Sequence, residues 1–118
     1  MCGGMTLDGY QDAAMRTGAH PRGEASDKAL GWNALGIAGE SGEVADLVKK
    51  VIGHKHPLDR HKLAMELGDV LWYVAALAND IGYDLSQIAE MNVGKLQKRY
   101  PHGFSSADSI NRREEAKA

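Results

Sequence analysis

Two stretches of this chain repeat apolar residues at the spacing of a helix face. Leu30, Ile37, Val44, Val48 and Ile52 gather on one side at about 100° per residue, and Leu63, Leu67, Val70, Val74, Leu77 and Ile81 do the same further on. β-branched residues never cluster into a run that alternates like a strand. That pattern restricts the chain to an all-α fold, and its punctuation predicts four helices. Thr6 is a good N-cap for a first helix over about 7–16. A loop over 17–25, with Gly18, Pro21 and Gly23, precedes a second helix that starts near Ser26 or Asp27 and runs to about Ile52. The run Gly53-His54-Lys55-His56-Pro57 breaks the chain, because proline cannot continue a helix interior. Asp59 caps the third helix, which ends near Ile81-Gly82. Asp84 with Gln87 forms a capping box for the fourth, which stops before Pro101. The polar tail from Ser105 reads as a loosely held end.

At 118 residues the chain is expected to form one domain, with a core over about 6–104 and a tail over 105–118. Such long apolar stripes on so short a chain imply burial against a second copy, in a four-helix bundle-like dimer or dimer of dimers. Lys and Arg number 14 against 16 Asp and Glu, a balance that speaks against a nucleic-acid polymer or a membrane surface as partner. No apolar run approaches the roughly 18 residues of a spanning helix. The start has no secretory pattern, and the lone Cys2 suits a reducing cytoplasm, so a cytoplasmic location is expected.

Chemistry enters beside the stripes. Glu40 and Glu43 are spaced i, i+3 on the second helix, and Glu66 and Asp69 are spaced i, i+3 on the third. Each pair shares one face, and antiparallel packing lets the pairs meet. Four carboxylates brought together repel, so a cation is needed to keep them charged. A hard divalent ion fits oxygen ligands, and Mg²⁺ is the usual choice where phosphates share the coordination. Gly42 and Gly68 fall inside helices at a cost of roughly 1 kcal/mol each against Ala. Small residues there are expected to let the helices approach closely. On the fourth helix Asn92, Lys95 and Arg99 share a face, and two of them are cationic donors of the kind a polyphosphate needs.

The runs Leu35-Gly36-Ile37-Ala38-Gly39-Glu40-Ser41-Gly42-Glu43-Val44-Ala45-Asp46 and Glu66-Leu67-Gly68-Asp69-Val70-Leu71-Trp72-Tyr73 resemble the two acidic motifs of the MazG-like nucleotide pyrophosphohydrolases. The segment from Asn92 through Lys95 and Arg99-Tyr100-Pro101 to Gly103-Phe104 is similar to the one that closes many short members, and Thr6-Leu7-Asp8-Gly9-Tyr10-Gln11 is similar to their opening. The resemblance covers most of residues 6–104. It implies the all-α NTP pyrophosphatase architecture, a homodimer or homotetramer, and Mg²⁺, with Mn²⁺ as a substitute, held by Glu40, Glu43, Glu66 and Asp69. It also implies hydrolysis of (deoxy)nucleoside triphosphates to monophosphate and pyrophosphate, in the manner of nucleotide-pool cleaning. The family motif often has two adjacent acids before the third; this chain has Gly39 in the first of those places, so Glu40 and Glu43 alone carry over.

Within that reading Lys95 and Arg99 hold the polyphosphate, Asn92 orients it, and Tyr73, which follows Asp69 along the acidic stripe, adjoins the substrate. Asp80, further along the same stripe, is placed to meet a sugar or base. Trp72 is read as packing, Trp32 as base stacking or interface packing, and Gln11 as an exposed surface residue. Asp46 is read as surface, off the Glu40/Glu43 face. His54, His56 and His61 read as a solvated loop and its edge rather than a transition-metal site. The rival readings are a phosphoribosyl-ATP pyrophosphohydrolase and a non-catalytic helical module that binds nucleotide or dimerises.

Overall fold

The computed structural model describes residues 4–18 and 20–111; Cys2 and the end of the tail lie outside them. Its helices are α1 (Leu7–Ala14), α2 (Asp27–Gly53), α3 (Arg60–Asp80), α4 (Leu85–Arg99) and α5 (Ser106–Asn111), with a 3₁₀ turn over Met15–Thr17 closing α1. No strand occurs among the described residues, so the all-α expectation holds.

The helix starts follow from their caps. The Thr6 hydroxyl accepts from the Gly9 amide at 2.9 Å, Ser26 accepts from Ala29 at 3.2 Å, and Asp59 accepts from Lys62 at 3.0 Å. Each satisfies an N–H that the first turn leaves without a partner. The Asp84–Gln87 capping box is present, with the Asp84 amide donating to Gln87 at 2.8 Å. The expectation of four helices and a loose tail needs one correction. Ser105 accepts from the Asp108 amide at 3.0 Å and starts a fifth, short helix.

α2 and α3 form an antiparallel pair that carries most of the packing, while α1 lies across α3 and α4. The core is small: Ala14, Ala75, Ala78 and Leu85, with Tyr10, Met15, Trp72, Val74 and Ile88 packed against it. Trp72 is packing, as expected, and its indole N–H donates to the Ala14 carbonyl at 3.3 Å. The apolar stripes are less buried than a self-contained core requires. Ile52, Leu67 and Ile81 are exposed, and so are Trp32, Leu35, Met65 and Met91. The radius of gyration, 17.3 Å, exceeds the roughly 13–14 Å of a compact domain of this length.

Gln11 overturns its reading as an exposed residue. It is 3 % exposed and clasps three segments together. Its amide donates to the carbonyls of Tyr83 at 3.0 Å and Ala75 at 3.4 Å, and its carbonyl oxygen accepts from the Leu85 amide at 3.0 Å. The first turn of α4 is buried there, so its orphan N–H needs a protein acceptor, and Gln11 supplies it. Asp8 does the same one residue on, accepting from both the amide and the hydroxyl of Ser86.

The glycines inside the acidic motifs do not play the part expected of them. A Cβ on Gly42 or Gly68 would meet nothing within 4 Å. The close approach is at Gly36, where a Cβ would overlap the Tyr73 ring of α3. Gly42→Ala and Gly68→Ala are therefore expected to stabilise the protein by up to about 1 kcal/mol each, through helix propensity alone. Chemical denaturation measures this, and a loss of stability would reveal a neighbour pressed against those positions.

Candidate active site

The seam between α2 and α3 has a simple register. Asn33, Gly36 and Glu40 are spaced i, i+3, i+7 on α2, and Asp69, Tyr73, Ala76 and Asp80 are spaced i, i+4, i+7, i+11 on α3. These spacings keep each set on one face. Antiparallel packing sets Glu40 against Glu66 and Asp69, Gly36 against Tyr73, and Asn33 against Asp80.

Carboxylate oxygens of Glu40, Glu66 and Asp69 all lie within 4.8 Å of one another. Glu43, the fourth acid of the motif, is not one of that trio. It stands on the next turn of α2, exposed, and lines a polar groove of about 530 Å³ with Asp46, Lys50, His56, Lys62 and Glu66. Burial and then the charges of Asp69, Glu66 and Glu43 push the Glu40 carboxyl above its ordinary value. Burial, and after it the charge of Asp69, pushes the Tyr10 phenol up, so α1 flanks the trio. Oxygen donors this close could hold a hard divalent cation.

Asp46, expected at the surface, lines the same groove as Glu43, with its side chain 43% exposed. Hydrogen bonds from Lys50 and then Lys49 hold its carboxyl below the ordinary range, with Lys50 Nζ at 3.0 Å and Lys49 Nζ at 3.4 Å. His54 and His56 are exposed after α2, with their rings 5.9 Å apart, and His61 is exposed at the start of α3.

The remaining residues named from the sequence divide. Tyr73 is half-buried beside the trio on the seam. Asn92 and Lys95 instead line an apolar groove of about 790 Å³ with Leu7, Leu71, Leu85 and Ile88, between α1, α3 and α4. Within one protomer that groove is separate from the acids. Arg99 is half-buried at the end of α4. Asp80 is 4 % exposed and accepts a 2.6 Å hydrogen bond from Asn33, which is equally buried. Asn33 escaped the sequence reading; the signal was available in its spacing from Glu40, seven residues on the same face.

The chain thus places an acidic trio that could hold a divalent cation on an antiparallel pair of helices. Comparison with known proteins narrows this. The MazG nucleotide pyrophosphohydrolase domain family matches residues 32–104, and the chain belongs to that family. It is also similar to the Gene 37 protein of Mycobacterium phage L5, 39% identical over 114 residues, which cover 92% of this chain and 100% of that protein. No solved structure matches the chain significantly.

Proposed function

We propose that this protein hydrolyses (deoxy)nucleoside triphosphates to the monophosphate and pyrophosphate in a Mg²⁺-dependent reaction, serving to clear nucleotides from the pool. The carrying observation is the trio of Glu40, Glu66 and Asp69 with oxygens within 4.8 Å, on the helix pair that bears the family's acidic motifs. A bound Mg²⁺, or Mn²⁺ in its place, would neutralise the acids, polarise phosphate oxygens and lower the pKa of a bound water. Glu40, Glu66 and Asp69 are the residues that would hold it, with Glu43 adding its charge from the groove side. One of these carboxylates takes the proton of the attacking water. The water oxygen bonds to phosphorus, the P–O bond of the α–β bridge breaks, and its electron pair leaves on pyrophosphate. Tyr73, fixed over Gly36, borders the bound nucleotide. The test is a panel of nucleotides scored for pyrophosphate with Mg²⁺ and with EDTA. Turnover in both conditions, or in neither, would refute the reading.

The working unit is a homo-oligomer. Supporting this are the exposed apolar side chains of α2, α3 and α4 and the open shape of the protomer. A second copy is also the means of bringing Asn92, Lys95 and Arg99 to the acids, because Asn92 and Lys95 face another groove within their own chain. Light scattering is expected to give a dimer or tetramer of the 12.7 kDa chain; a stable monomer at working concentrations would rule this out. No described helix is long and apolar enough to cross a membrane. The balanced charge favours a small nucleotide over a nucleic-acid polymer, and a cytoplasmic setting suits such a substrate.

A further inference from the structure

The seam does not end at the acids. Beyond Tyr73 it opens into a cavity of about 190 Å³ lined by Trp32, Asn33, Trp72, Asn79, Asp80 and His20, among others. This is smaller than the roughly 300–1,000 Å³ of clefts that hold whole ligands, and suits a single ring system. Ala76 lines it too, one turn along the α3 stripe from Tyr73. Seven residues separate Asn33 from Glu40 on α2, a rise of about 10 Å, and eleven separate Asp80 from Asp69 on α3, about 16 Å. A nucleoside whose phosphates sit at the trio spans that order of distance with its sugar and base.

The floor of the cavity has a definite polarity. The Asn33 amide spends one N–H on Asp80 Oδ2 at 2.6 Å. Asp80 Oδ1 and Asn33 Oδ1 have no hydrogen-bond partner among the described residues, yet no buried side-chain oxygen there is left both enclosed and unsatisfied. Both residues line the cavity. A carboxylate only accepts, and so does an amide oxygen. With one Asn33 N–H already turned to it, the acceptor-only Asp80 carboxylate sets the polarity of the pair and calls for a donor. Trp32 stands at the edge, 68 % exposed, and offers a flat face for stacking.

We propose that this cavity binds the nucleobase and selects bases that present an exocyclic amino group. The proposal rests on the nucleotide reading of the acids for its ligand class. The N4 amine of cytosine or the N6 amine of adenine would donate to Asp80 and Asn33. The keto oxygen of uracil or hypoxanthine at the same position would set acceptor against acceptor and leave buried groups unpaired.

The test is binding of monophosphates without divalent metal, read by the fluorescence of Trp32 and Trp72, both of which line the cavity. Cytidine monophosphate is expected to bind at least tenfold tighter than uridine monophosphate, and adenosine monophosphate at least tenfold tighter than inosine monophosphate. Equal affinities within both pairs, or a preference for the keto bases, would overturn the proposal. In Asp80→Asn the new amide still accepts from Asn33 and turns an N–H into the cavity, so the cytidine–uridine order is expected to reverse. Trp32→Ala, at an exposed position, is expected to weaken both pyrimidine monophosphates alike, with Trp72 still reporting; undiminished affinity would contradict a stacking role. These ligands have no phosphoanhydride to cleave. A protein that discriminates among them yet releases no pyrophosphate from triphosphates would support this cavity and sink the enzymatic reading alone.

Discussion

Glu66→Gln and Asp69→Asn are each expected to lower kcat/KM on a nucleoside triphosphate by at least 10²–10³-fold, while circular dichroism shows the helices intact. Each change removes one carboxylate from a trio whose oxygens lie within 4.8 Å. EDTA should abolish the wild-type rate and Mg²⁺ restore it. The same electrostatics predicts an opposite effect on stability. Glu40 is raised by burial and by the charges of Asp69, Glu66 and Glu43, so the folded protein disfavours its charged form relative to the unfolded chain. Glu40's own contribution to the stability of the metal-free protein is therefore fully present below the ordinary carboxyl range and is lost as pH rises through the raised value. Glu40→Gln should flatten that dependence and raise the metal-free Tm while removing activity, as expected where function requires like charges held together. Variants that keep near-wild-type rates would show that the acids are not the site.

The second large effect is expected from one methyl group. In Gly36→Ala the added Cβ would overlap the Tyr73 ring. Overpacking of this kind typically costs about 1–3 kcal/mol, and here it also forces Tyr73 off the seam between the acidic trio and the Asn33–Asp80 pair. Both stability and turnover should fall. Pairing Gly36→Ala with Tyr73→Ala tests the cause, since the two changes share one contact and should be far from additive. Additive losses would mean that Gly36 acts through something other than Tyr73.

The contrast between Gly36 and Gly42 shows where sequence reading stops. Helix boundaries were legible because caps are local: Thr6, Ser26, Asp59 and Asp84 each act on an amide within three residues. The acid pairs were legible because i, i+3 spacing puts two side chains on one face. Which glycine meets a neighbour depends on how α2 is rotated against α3, and the pattern of a single helix does not contain that angle. Gln11 was opaque for a similar reason. Its partners Ala75, Tyr83 and Leu85 lie 64 to 74 residues away, so nothing near it in sequence marks it as buried. Asn92 and Lys95 share a face with Arg99 as read, but α4 lies against α1 and α3 and presents those two to a different groove. Which groove a helix face meets is again a tertiary quantity.

The most direct test of the whole account is where the phosphate chain is cut. The proposed metal site on the α2–α3 seam, with no Gly-x-x-x-x-Gly-Lys loop in the sequence to cradle a γ-phosphate, favours departure of an intact pyrophosphate, whose charge a divalent ion and cationic side chains can share. ³¹P NMR of a nucleoside triphosphate turned over with Mg²⁺ should show monophosphate and pyrophosphate growing together, with no early orthophosphate. Diphosphate appearing with orthophosphate would contradict the α–β cleavage on which the account depends.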